Sequence, residues 1–361
     1  MSTMSFRPLH VAISSSILAL ATLAISFSAT VVRDAPTSGG IAQATMKAVR
    51  IHEFGGVDKL KYEDAPRPAP GDDDLLVRVH AAGVNPVDDK VRSGMFGSFG
   101  KLPMILGWDV SGVVEQVGKN VTKYKTGDAV FAFMSIRASG AYAEYAIVPA
   151  ADACPKPAQL THVEAAAIPL AAMTAWQALV DTAKLEKGQT VLIHGAAGGV
   201  GHFAVQIAKT RGAKVIATGS TKSQSFLKEL GADVAIDYST SKFEDIAKDV
   251  DVVLDTIGGE TQERSLAVLK KGGMLVSIVQ PPDQAKAKEL GIRAAIFLAH
   301  PDGAELAEIA KLVDAGSLKP TVSKTFPLSE AAKAHEQIET KHTKGKLVLE
   351  VVPENSPAKA K

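Results

Sequence analysis

The chain has a single cysteine, Cys154, in 361 residues, which excludes an intrachain disulfide framework and any cysteine-rich metal site. It also lacks an excess of charge of either sign. Forty Lys and Arg stand against 39 Asp and Glu, which excludes nucleic-acid binding by bulk positive charge. The basic residues are scattered rather than blocked, so the sequence shows no patch for a membrane surface. The nine histidines form no H-E-x-x-H pair. No period of 20–50 residues recurs, which excludes a solenoid. Aromatic residues make up only 5% of the chain. Together with 30 glycines, that suits an α/β protein with tight strand-to-helix turns better than a sandwich or barrel.

Charge is absent altogether from residues 11–32, between Arg7 and Arg33. A weakly basic start, an apolar run and small residues afterwards read as a secretory signal, cleaved after Ser28 or after Ala44. The 22 uncharged residues are also long enough for an uncleaved anchor. Residues 1–45 are therefore expected to be a signal peptide or membrane anchor plus linker, giving an exported (periplasmic) or N-terminally anchored protein. The alternative is a cytoplasmic protein translated from Met46. Arg7 stands alone, without the twin arginines of a signal that exports folded, cofactor-loaded proteins.

From residue 46 onward, short β-type runs are broken by Gly, Pro and Asp: 75–84, 112–118 and 128–133. Near residue 165 the pattern changes to apolar strands alternating with helix-length segments. The strands are expected at 190–195, 214–219, 232–237, 251–256, 273–278 and 293–299. Apolar strands joined by helices predict a parallel sheet covered on both faces, a doubly wound domain. After Gly316 come strand-like text, a helix at 329–339, a last strand at 346–352 and a tail expected to be mobile.

Residues 190–211 run from a strand into Gly195-Ala196-Ala197-Gly198-Gly199-Val200-Gly201 and then a helix. Phosphate binding needs this arrangement. Glycines admit the pyrophosphate close to the backbone, and free N–H groups at a helix start face the anion. The first glycine position of the G-x-G-x-x-G fingerprint is Ala196, so the fingerprint is imperfect, but its strand–turn–helix context is present on both sides. An NAD site places an acid about 20 residues past the motif, on the ribose 2′-hydroxyl. Here Gly219-Ser220-Thr221-Lys222 occupies that place, and no acid occurs before Glu229. Ser220 and Lys222 suit a 2′-phosphate, so NADPH is the expected cofactor. The competing reading is that Ser220 or Thr221 caps a helix and Lys222 is solvated.

Six stretches now read together: 81–94 (AAGVNPVDDKVRSG), 106–118 (LGWDVSGVVEQVG), 169–179 (PLAAMTAWQAL), the glycine turn, 251–259 (DVVLDTIGG) and 342–351 (HTKGKLVLEV). They resemble the zinc-independent quinone oxidoreductase and enone (2-alkenal) reductase branch of the medium-chain dehydrogenase/reductase family. The resemblance implies an α/β fold: a doubly wound Rossmann domain (166–315) inserted into a mainly β, GroES-like catalytic domain (46–165 and 316–353), with 354–361 as tail. It implies no metal, because Asn85 and Trp108 stand where zinc-dependent relatives carry Cys and His, and neither is a zinc ligand.

Hydride transfer from NADPH to a quinone or an α,β-unsaturated carbonyl remains the simplest chemistry, needing only a donor near the developing oxyanion. By resemblance, Asn85 lies beside the nicotinamide and Lys90 faces the active site; these two are the candidate catalytic residues. Asp88 is read as orienting its loop through the backbone. The resemblance also places Thr174 and Ile278 along the cofactor, and Tyr238 and Lys346 along the adenosine phosphate or cofactor groove. Thr174 is equally readable as a helix threonine bonded to its own turn, Tyr238 as a strand-end aromatic and Lys346 as an exposed loop lysine. His194 is read as a packing residue, and Tyr142 and Tyr145 receive no role. An enoyl-thioester reductase and a non-catalytic NADPH-binding protein are the alternatives. A homodimer is implied by resemblance, with no nucleic-acid partner and membrane contact only through the N-terminal segment.

Overall fold

The computed structural model describes residues 44–96 and 101–353. The signal or anchor expected before residue 44 and the tail after 353 lie outside the described residues. Among the described residues, no helix is long and apolar enough to cross a membrane.

Six strands form a parallel sheet: Thr190–Ile193, Lys214–Gly219, Val234–Asp237, Val250–Asp255, Leu269–Ser277 and Arg293–Ile296. Numbered in that chain order, they lie side by side as 3-2-1-4-5-6, the dinucleotide-fold order. Burial on both faces explains the composition. Val191, Leu192 and Ile193 are all fully buried, which a sheet covered by helices on both sides requires. Lys214–Gly219 is recovered to the residue, and the other five expected strands are recovered with shifted ends. The first stops at Ile193 because Gly195 takes φ +58° and turns the chain away. The fifth begins earlier than its apolar run, at Leu269, which pairs with Val250 before the register shifts.

A second sheet of seven strands draws on both ends of the described chain. Its order is Val322–Pro327, Lys346–Glu350, Asp74–Val84, Asp109–Val117, Ala129–Phe133 and Ala153–Pro155, and Tyr145–Pro149 also pairs with Asp74–Val84. In chain order the parallel-sheet segment falls between strands of this sheet. In Asp74–Val84, Val77 and Val79 are buried while Arg78 and His80 are partly exposed, the alternation of a half-buried strand. A small sheet of Lys61–Pro66, Thr45–Ile51 and Met104–Ile105 completes the β structure.

Candidate functional site

The glycine turn sits where the strand order reverses, between Thr190–Ile193 and Val250–Asp255, which is where ligands bind in open α/β sheets. The helix Gly201–Thr210 starts directly from it. A Cβ on Gly201 would lie 2.3 Å from the carbonyl oxygen of Gly195, so only glycine lets helix and turn approach this closely. Within the turn, the Ala196 N–H donates to the Thr218 carbonyl at 3.0 Å and the Gly198 N–H to Gly195 at 2.9 Å. Those two amides, expected among the phosphate contacts, are engaged by the fold. Among the described residues, the N–H groups of Gly199, Val200 and Gly201 are taken by no carbonyl. The turn is partly exposed from Ala197 to Val200. Three free amides at a helix start form the cradle that a pyrophosphate fits.

At the end of the second strand, Ser220 is half-buried and Lys222 exposed. The Ser220 hydroxyl bonds the Ser223 hydroxyl at 3.0 Å, and that of Thr221 bonds Ser239 at 3.1 Å. Neither side chain caps the short helix Gln224–Glu229, so the capping alternative is not realised. Tyr238, at the end of the neighbouring strand, is 61% exposed, and Ile278 is half-buried just past Leu269–Ser277.

The opposite side of the site is a buried polar cluster, which the sequence reading only partly anticipated. Asn85 precedes Pro86 in extended conformation (φ −133°, ψ 154°) and leads into the helix Pro86–Arg92. Its amide was expected to reach cofactor or substrate. Instead the side chain is buried: its Nδ2 donates to Asp109 Oδ2 at 2.8 Å, and its Oδ1 accepts from Lys346 Nζ. A buried amide beside a carboxylate and an ammonium bonds to both, and one of its two Nδ2 N–H groups is used in doing so. Asp88 behaves as expected, its carboxylate accepting the Asn85 backbone N–H at 2.7 Å. It also accepts the Tyr142 hydroxyl at 2.8 Å, which gives Tyr142 a role the sequence reading did not assign. Burial pushes the Asp88 carboxyl up to about 7, opposed by these two bonds and by Lys346. The same desolvation raises the Tyr142 phenol and the Asp109 carboxyl and lowers the Lys346 ammonium.

Lys346 is not the exposed loop lysine of the alternative reading, and its stem lies against Gly199 of the glycine turn. It is 2% exposed, donates to the Val84 carbonyl at 2.9 Å and stands 3.6 Å from Asp109. Thr174 realises its alternative reading, its hydroxyl donating to the Leu170 carbonyl at 2.6 Å. Lys90 is partly exposed, and its ammonium has no hydrogen-bond or ion-pair partner among the described residues. His194 packs as expected. It is buried between the Thr218 and Ser265 hydroxyls (3.1 and 2.9 Å), and burial lowers its ring to about 4. Tyr145 stacks under the Arg67 guanidinium at 3.8 Å.

Trp108 is fully buried and donates its indole N–H to the Ala138 carbonyl at 3.2 Å. Among the described residues, no three His, Cys, Asp or Glu side chains converge as a metal-binding group.

A dinucleotide-type sheet with a glycine turn at its switch point, facing a mainly β domain closed by the last strand, defines a nucleotide-dependent dehydrogenase or reductase fold. Two family models match the chain: "Alcohol dehydrogenase GroES-like domain" over residues 71–158 and "Zinc-binding dehydrogenase" over residues 230–349. The chain is 35% identical over 323 residues to the quinone oxidoreductase of Rattus norvegicus, covering 84% of this chain and 97% of the relative. It is 38% identical over 323 residues to the chloroplastic NADPH-dependent alkenal/one oxidoreductase of Arabidopsis thaliana, covering 85% and 80%. The solved quinone oxidoreductase from Coxiella burnetii superimposes with a TM-score of 0.79 at 37% identity, covering 85% of this chain and all of that one. The chain belongs to the medium-chain dehydrogenase/reductase family, in its zinc-independent quinone and enone reductase branch.

Proposed function

We propose that this chain is an NADPH-dependent oxidoreductase that reduces a quinone or an α,β-unsaturated carbonyl. The observation that carries the reading is the pairing of a free-amide glycine turn with a second strand that ends at Gly219 and is followed by Ser220-Thr221-Lys222, with no carboxylate there. The names of the quinone and alkenal/one oxidoreductase relatives agree with it.

When bound, NADPH supplies the hydride, and the chain supplies binding and electrostatics. The amides of Gly199, Val200 and Gly201 hold the pyrophosphate. Ser220 and Lys222 hold the 2′-phosphate by hydrogen bond and charge. Hydride arriving at an electron-poor carbon leaves negative charge on the conjugated oxygen, and the unpaired ammonium of Lys90 is the group proposed to stabilise it. Asn85, held by Asp109 and Lys346, shapes the wall of the site rather than donating with its whole amide.

The test is NADPH oxidation with a benzoquinone, a short 2-alkenal and a 2-enoyl thioester, with NADH as control. Turnover of the quinone or alkenal is expected. Tight NADPH binding with no turnover of any acceptor would replace this reading with that of a binding protein.

A homodimer is proposed through the edge strand Arg293–Ile296, whose ladder is open on one side and beside which Ile296 and Leu298 are 42% and 73% exposed. Sedimentation of the wild-type chain at half the mass expected for a dimer would remove it. Export or anchoring through residues 1–45 rests on the charge-free run alone, and N-terminal sequencing of the mature protein tests it.

A further inference from the structure

Lys346 joins four segments that are distant in sequence. Its backbone neighbour Gly345 donates its N–H to the Ala197 carbonyl of the glycine turn at 2.9 Å. Its own stem lies against that turn, since a Cβ on Gly199 would come within 3.3 Å of Lys346 Cδ. At the other end, Nζ donates to the Val84 carbonyl at 2.9 Å and to Asn85 Oδ1, with Asp109 Oδ2 at 3.6 Å. Asp109 in turn accepts the Leu170 N–H at 2.6 Å, at the start of the helix Pro169–Trp176 that carries Thr174. The glycine turn, the 84–85 junction, the strand Asp109–Val117 and that helix are all tied to one ammonium–carboxylate pair.

An ammonium has three N–H groups. Two are donated here, and the third faces Asp109. None is left for a phosphate unless this cluster is broken. Burying the two charges is tolerable only because they are paired, so each fixes the other in place.

We propose that Lys346 is a positioning residue: paired with Asp109, it sets the spacing between the glycine turn and Asn85, and it does not itself bind the cofactor's phosphates. The inference rests on the reading that NADPH occupies the glycine turn. In that reading, the pair determines where the nicotinamide end falls relative to the substrate side, an alignment on which hydride transfer depends steeply.

The test compares Lys346→Met, Asp109→Asn and the double variant in the full chain by thermal melting without cofactor, NADPH Kd from fluorescence, and steady-state kinetics with a 2-alkenal. Each single variant leaves one charge buried alone and is expected to melt well below the parent. The double variant removes both charges and is expected to melt above either single variant. Its NADPH Kd should stay within about threefold of the parent, while kcat falls by about tenfold with little change in the alkenal KM.

Three results would overturn the proposal. A double variant that melts no higher than the singles means the two residues do not act as a pair. One that recovers stability yet binds NADPH about tenfold or more weakly than the parent makes Lys346 a direct ligand. One that recovers kcat in full removes the positioning role. If either single variant fails to fold, the double variant still decides the second and third outcomes. A parent chain that binds no NADPH removes the cofactor reading itself, and this inference falls with it. A parent that binds NADPH beside any of the three results overturns the inference alone.

Discussion

Tyr142 gives its phenol O–H to the Asp88 carboxylate at 2.8 Å, although the two residues are 54 positions apart and both are fully buried. The other carboxylate oxygen of Asp88 is buried without a hydrogen-bond partner among the described residues. Burial, opposed by the Tyr142 bond, pushes this carboxyl group up to about 7, between the loop that carries Asn85 and the segment beyond Gly140.

Removing that donor has a pH-dependent cost. A bond to the ionised form lowers a carboxyl pKa, so Tyr142→Phe should move Asp88 above its value of about 7. A raised carboxyl pKa favours the protonated fold, and that contribution is lost as pH rises through the folded value. The Tyr142→Phe penalty, about 1–3 kcal/mol for an unsatisfied buried partner, should be larger at pH 8 than at pH 6. Melting curves at the two pH values check this, and an equal loss at both would mean that Asp88 does not titrate there.

Acid should destabilise the protein well before its carboxylates titrate normally. Burial lowers His194 and His202 to about 4 and His335 to about 3. These rings stay neutral when folded but take up protons near pH 6.5 when unfolded, so stability is intact above that value and falls below it. Each contributes up to about 1.4 kcal/mol per pH unit in that window. The His80–His162 stack, with ring centroids 4.3 Å apart and both rings lowered, acts in the same direction. Both ring nitrogens of His335 are buried without partners, so His335→Phe should raise the melting temperature at pH 5 relative to the parent. A variant less stable at pH 5 would show that the ring has partners.

Gly201→Ala tests the turn. The added Cβ would meet the Gly195 carbonyl at 2.3 Å and Ala196 Cα at 2.6 Å, both backbone atoms that cannot rotate away. The turn must open, and NADPH affinity should drop by about tenfold or more with the fold retained. Titration by nicotinamide fluorescence reads the effect, and an unchanged Kd would move the phosphate site elsewhere.

Lys222→Glu should raise the KM for NADPH by about tenfold or more while leaving that for NADH nearly unchanged, because only the 2′-phosphate meets the reversed charge. Equal changes for both cofactors would remove Lys222 from the 2′-phosphate site.

For Lys90→Ala, the expected outcome is a lower kcat on enones with NADPH binding kept, by about 10²-fold if the ammonium stabilises the oxyanion. Single-turnover rates provide the check, and an unchanged rate assigns Lys90 to the solvated surface.

Much of the fold could be read because its signals are local. Lys214–Gly219 was located to the residue, since an apolar run flanked by glycines and helix-length spacers admits little else. The buried cluster was less legible, because its members meet only through strand pairing. Asn85 and Asp109 are 24 residues apart, and Asn85 and Lys346 are 261 apart. The register puts Gly83 opposite Asp109 and Val84 opposite Leu347, which brings all three side chains to one end of the sheet. A faint signal existed: Asp109 and Lys346 each open a strand that is otherwise mostly apolar. Two opposite charges at the starts of buried strands call for each other, but only once the strands are known to share a sheet. Tyr142 was missed for a similar reason, as its partner lies on another element.

The strand Lys346–Glu350 pairs with Asp74–Val84, yet the ribosome makes it only after the whole six-stranded sheet. The parallel domain can thus be complete while the β domain that opened the chain still waits for its closing strand. Until then the Ala81–Val84 end of Asp74–Val84 is open to stray pairing, and Asp109 is buried, if at all, without its cation. A ribosome stalled short of residue 346 would display a finished nucleotide fold beside an unfinished partner, and protease sensitivity of such arrested chains should fall abruptly once the last strand emerges.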